Sequence, residues 1–71
     1  MINIAKTIGK NLKNARKNSG LTQTQVAEKL HMAQQQYSRF ETGMFELNYE
    51  QISCLCKLFD ITPNEIFGCE L

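Results

Sequence analysis

The side chains best suited to directional recognition in this 71-residue chain gather in one short stretch, as Gln34, Gln35, Gln36 and Arg39. A glutamine carboxamide pairs an acceptor oxygen with two N–H donors, and an arginine carries a planar fork of five. Such groups read hydrogen-bonding edges rather than make or break bonds. Bond-breaking chemistry has no counterpart elsewhere in the chain. There is no Ser/His/Asp, Cys/His or paired-carboxylate constellation and no glycine-rich phosphate loop, so no enzyme activity is expected. Cys54 and Cys56 stand two apart on an expected helix, about 200° around it, and cannot share a metal ion without unwinding it. His31 is the sole histidine, with no companion ligands. Neither a metal nor a cofactor is expected.

The residues that must position this stretch read as short helices throughout. Asn3 caps a first helix to about residue 18, with Ile4, Ile8, Leu12 and Ala15 stepping along one face and Ser19-Gly20 ending it. Thr22-Gln23-Thr24-Gln25 is a capping box that opens a second helix of about nine residues, whose Val26, Ala27 and Leu30 face inward. Met32 is expected to be buried, and His31 occupies a turn where a positive φ is expected, which His tolerates better than most residues. A third helix over residues 33–42 closes at Gly43. If Tyr37 and Phe40 point inward, then Gln35, Ser38, Arg39 and Thr42 point outward and Gln34 lies at the rim. Glu41 falls on the inward edge, a place for a carboxylate only if it is paired.

Asn48 caps a fourth helix, along which Tyr49, Ile52, Leu55, Cys56 and Phe59 form a stripe expected to be buried. Thr62-Pro63-Asn64-Glu65 is another capping box, with proline at the first helical position, and it starts a short fifth helix that Gly68 stops. Five helices without a strand predict an all-α, compact single domain over residues 1–71, with a helix-turn-helix at 22–42 and a short tail at 68–71.

Charge is divided unevenly. Residues 1–40 carry seven Lys/Arg against Glu28 alone, and residues 41–71 carry Lys57 against six carboxylates, so the halves stand at +6 and −5 although the chain nets +1. The basic half suits a polyanion, while solvated helix faces would give the same counts. The apolar runs are too short to span a membrane, and the start lacks a secretory signal. Three cysteines without framework spacing fit a reducing compartment, so a cytoplasmic location is expected.

From about residue 8 to 67 the chain resembles the Cro/phage-repressor-type (XRE) helix-turn-helix family, which has the lambda-repressor-like fold. The likeness is carried by Arg16, by Leu21-Thr22-Gln23 with Ala27 and Leu30, and by Ser38-Arg39-Phe40-Glu41-Thr42-Gly43. Leu55, Phe59, Ile61 and Glu65-Ile66 extend it. The resemblance implies a DNA-binding transcriptional regulator whose third helix enters the major groove of double-stranded DNA. It makes Gln34, Gln35 and Arg39 base-reading, since Gln suits adenine N6 and N7 and Arg suits guanine O6 and N7. Gln23 matches a phosphate-contacting position, with Thr22, Gln36, Ser38, Thr42, Lys10 and Lys13 as further flanking contacts. It also implies an ion pair between Arg16 and Glu41. A repressor-like homodimer on a palindromic operator follows from the family, and Phe67, Cys69 and Leu71, apolar with little left to cover them, are expected to form its interface.

The match has departures. His31 stands where glycine is common, and Ala33 stands where Ser or Thr usually caps helix three. Met44, Phe45 and Glu46 replace a loop that is often basic. Phe45 and Leu47 either pack locally or form a contact surface, and Phe67 is either core or interface. An alternative function is therefore an antitoxin-like interaction module, gripping a basic protein partner through its acidic half and the 44–47 loop.

Overall fold

The computed structural model describes residues 3–68, so Cys69 and Leu71, two of the expected interface residues, lie outside it. Its elements in order are α1 (Ile4–Asn18), α2 (Gln23–Lys29), α3 (Gln34–Glu41), α4 (Tyr49–Phe59) and α5 (Pro63–Phe67). Among the described residues there is no strand, and no helix is long and apolar enough to cross a membrane.

Helix starts follow local side-chain chemistry. Asn3 accepts the Lys6 amide at 3.1 Å and caps α1. Thr22 with Gln25, Asn48 with Gln51 and Thr62 with Glu65 each close a reciprocal capping box, satisfying amides that a first turn leaves orphaned. α3 lacks such a bond, because Ala33 precedes it. α2 is shorter than expected, at seven residues. Leu30 caps it, His31 turns the chain at φ +57, and the Met32 amide returns to the Ala27 carbonyl at 3.0 Å.

α3 packs on both α1 and α2, while α5 packs on α1 and α4. Leu12, Val26, Ala27, Tyr37, Phe40, Leu55, Phe59 and Ile66 form the core, with Ile8, Ala15, Leu30, Met32, Leu47 and Cys56 partly buried against it. The Asn11 side-chain amide donates to the Ile66 carbonyl at 2.8 Å and clips α5 to α1.

Two inward assignments are corrected. Ile4 is 63% exposed and Tyr49 is 92% exposed. Each is the first residue of its helix, so its side chain leans back past the helix start, away from the core-facing turns. With Phe45, Leu47, Ile52 and Phe67 they line a shallow apolar groove of about 290 Å³.

The approach of α1 to α3 depends on a residue with no side chain. A Cβ on Gly9 would collide with the Glu41 carbonyl oxygen and lie 2.6 Å from that of Phe40. Alanine is favoured over glycine inside a helix by about 1 kcal/mol, but the atoms it would strike are backbone and cannot rotate away. Gly9→Ala is therefore expected to lower unfolding free energy by about 2 kcal/mol, measured by urea titration.

Candidate nucleic-acid interface

The face in question is built on α2, the turn and α3. Tyr37 and Phe40 anchor α3 from beneath, with rings edge-on at 6.4 Å between centroids. That anchorage leaves Gln34, Gln35, Gln36, Arg39 and Thr42 exposed and Ser38 half-buried. Thr22 caps α2 beside this face, and Lys10 and Lys13 are exposed on α1.

Beneath the face lies a buried network. Arg16 donates from Nε to Glu41 Oε2 at 2.6 Å and from Nη2 to Oε1 at 3.2 Å, a two-pronged pair. Its Nη1 donates to the Leu21 carbonyl at 2.9 Å, tying in the loop between α1 and α2. Gln23 Nε2 also donates to Glu41 Oε1, at 3.0 Å. A carboxylate only accepts, so Gln23 must turn its NH₂ toward Glu41 and its oxygen away. That oxygen accepts from Gln34 Nε2 at 2.6 Å. Gln34 is left with its own carbonyl oxygen and one N–H facing outward.

This network was only partly legible beforehand. The resemblance supplied Arg16 with Glu41 and gave Gln23 to phosphate. In the structure the Gln23 side chain bridges Glu41 to Gln34, while its backbone N–H stands at the first position of α2. Phe45 was also missed as a neighbour of Arg39, whose guanidinium carbon lies 5.5 Å from its ring centroid. Gly9 had a readable signal, a glycine inside a helical pattern, which points to close backbone approach.

Burial favours the neutral form of Glu41, but the hydrogen bonds from Arg16 and Gln23 outweigh it and hold the carboxyl below the ordinary range. Burial first, and then the nearby Glu41 carboxylate, push the Tyr37 hydroxyl far up, so it remains protonated. That hydroxyl is buried without a hydrogen-bond partner. Burial first, then Glu65, raise Cys56, which keeps it a thiol, while Cys54 is exposed. Among the described residues no cluster of three His, Cys, Asp or Glu side chains could hold a metal ion.

Residues 12–66 match the family described as Helix-turn-helix. The chain is 34% identical over 61 residues to Antitoxin PezA of Streptococcus pneumoniae, covering 86% of this chain and 39% of that protein. It is 34% identical over 59 residues to the HTH-type transcriptional activator BcrR of Enterococcus faecalis, covering 83% of this chain and 29% of that one. It thus spans well under half the length of these curated relatives. The fold is similar to that of the clp gene regulator ClgR from C. glutamicum, with a TM-score of 0.83, 20% identity, and coverage of 92% of this chain and 83% of that one.

Because the folded-state pKa of Glu41 is depressed, its contribution to stability is full above the unfolded value of about 4.3 and is lost as pH falls through the lower folded value. Thermal unfolding between pH 6 and pH 2.5 should show this loss, and Glu41→Gln should lack that segment of the profile. Glu41→Gln should also cost about 3 kcal/mol at neutral pH, because Arg16 stays buried opposite a neutral group. Tyr37→Phe should stay within about 1 kcal/mol of the parent in the same measurement, since the hydroxyl it removes is unpartnered.

Proposed function

The chain belongs to the helix-turn-helix family that its residues 12–66 match, and on that premise we propose that it reads double-stranded DNA sequence as a transcriptional regulator. The observation that carries this reading is the outward set of Gln34, Gln35 and Arg39 on a helix fixed from below by Tyr37 and Phe40. In the major groove, Gln34 and Gln35 are suited to adenine edges and Arg39 to guanine O6 and N7. Backbone amides at the start of α2, with Thr22, Gln36, Ser38, Thr42, Lys10 and Lys13, contribute phosphate and flanking contacts that set register.

Three reading side chains on one short helix cover few base pairs. We infer a homodimer on a palindrome, with half-sites about one turn of DNA apart, ~34 Å. Phe67, half-buried beside the apolar groove, contributes to that interface together with Cys69 and Leu71. By the family likeness the proposed sign is repression, acting in the cytoplasm.

A second reading has its own support. The similarity to Antitoxin PezA, the acidic half of the chain and the exposed Met44, Phe45 and Tyr49 suit a basic protein partner. Stoichiometric co-purification of such a partner, lost on changing residues 44–47, would favour it.

Selection of bound duplexes from a random pool should enrich a palindrome. On that duplex Gln35→Ala and Arg39→Ala should each weaken binding about tenfold or more. Lys10→Ala and Lys13→Ala should weaken all sequences alike and reduce the salt slope by about one each. An unenriched pool, or binding indifferent to Gln35→Ala and Arg39→Ala, would sink the DNA-reading proposal.

A further inference from the structure

Arg39 is exposed, and its guanidinium carbon lies 5.5 Å from the centroid of the Phe45 ring. That ring is itself braced. It meets buried Phe40 edge-on at 6.4 Å, and Phe40 meets Tyr37 in the same manner. The braced stack therefore runs from the core out to a reading side chain.

The backbone fixes where the ring comes back. The Arg39 carbonyl accepts the amides of both Met44, at 2.9 Å, and Phe45, at 3.3 Å. Between them the chain turns through Gly43 at φ +81, where a Cβ would lie 2.8 Å from Lys6 Cα and 2.9 Å from Lys6 N. The same residue that offers the guanidinium thus anchors the loop that carries its platform.

We propose that Phe45 is the positioning residue for Arg39, holding the guanidinium ready for a guanine and so setting discrimination at the base pair that Arg39 reads. This rests on the reading of α3 as the recognition helix. A cation is attracted to the face of an aromatic ring by the ring quadrupole, and that contact consumes no N–H donor. The two-pronged contact with guanine O6 and N7 needs those donors free and correctly aimed. A free arginine side chain loses rotamer freedom when it docks, and one already held loses less. A held guanidinium also has less latitude to re-aim at a wrong base or a phosphate, so the effect falls on discrimination more than on bulk affinity.

The test uses the duplex enriched by selection and a copy in which the base pair sensitive to Arg39→Ala is exchanged. Binding of both is measured for the parent, Phe45→Leu, Phe45→Tyr, Arg39→Ala and the double variant of Phe45→Leu with Arg39→Ala, and the Tm of each is recorded. Phe45→Leu should reduce the affinity ratio between the two duplexes by about two- to fivefold, the worth of a cation–ring contact at an exposed site. Phe45→Tyr, which keeps a ring, should preserve the ratio. In the Arg39→Ala background Phe45→Leu should leave the ratio unchanged.

A fold that is merely looser lowers affinity for both duplexes alike. A ratio untouched by Phe45→Leu while Tm falls would therefore overturn the proposal, and so would a ratio that rises. An unenriched pool, or an enriched duplex indifferent to Arg39→Ala, overturns the reading of α3 and this proposal with it. An Arg39-dependent duplex that ignores Phe45→Leu overturns the proposal alone.

Discussion

A guanidinium and a carboxylate buried together join three segments of this chain at one point. Arg16 reaches from the last turn of α1, Glu41 from the last residue of α3, and the Leu21 carbonyl from the loop between α1 and α2. Taking both charges out of water is costly, and their attraction offsets that cost only while geometry and additional hydrogen bonds are kept. Here Glu41 accepts three bonds and Arg16 donates three. Gly9 lets α1 approach α3 closely at that same end, with the Glu41 backbone against it. The pair is thus less a source of net stability than a condition on how α1 and α3 may lie.

The same carboxylate extends its influence to the surface. Through Gln23 it orients Gln34, because acceptor and donor must alternate along the chain of bonds. Arg39 is reached by a different route, through the apolar stack of Tyr37, Phe40 and Phe45. Polar and apolar supports therefore converge on two outward side chains one turn and more apart on α3. Gln35, between them in sequence, is exposed and takes its position from the helix backbone.

Local chemistry was readable in the sequence, and reach was not. Capping boxes at Thr22 and Thr62 and the cap at Asn48 announce helix starts because the partners lie within four residues. Periodicity gave the inward direction of Tyr37, Phe40 and Leu55 for the same reason. It could not say where a helix face stops being covered, and so it buried Ile4 and Tyr49, which are largely exposed. It also gave Glu41 an inward edge but no partner, since Arg16 is 25 residues away and only family likeness joined them. The ties of Gln23 to Gln34 and of Arg39 to Phe45 cross turns whose geometry decides contact, and no spacing rule anticipates them.

The bond from Asn11 to the Ile66 carbonyl spans 55 residues and brings the end of α5 against the middle of α1. Gly68 follows directly, with its Cβ position 3.4 Å from the Asn11 amide and 3.8 Å from a methyl of Thr7. A polypeptide joined after Gly68 would thus depart from the flank of α1 rather than from a free end of the bundle. A closing linker from residue 68 back to residue 3 has little distance to cover along α1. This makes the domain a candidate for circular permutation, with new ends opened in a loop remote from α2 and α3.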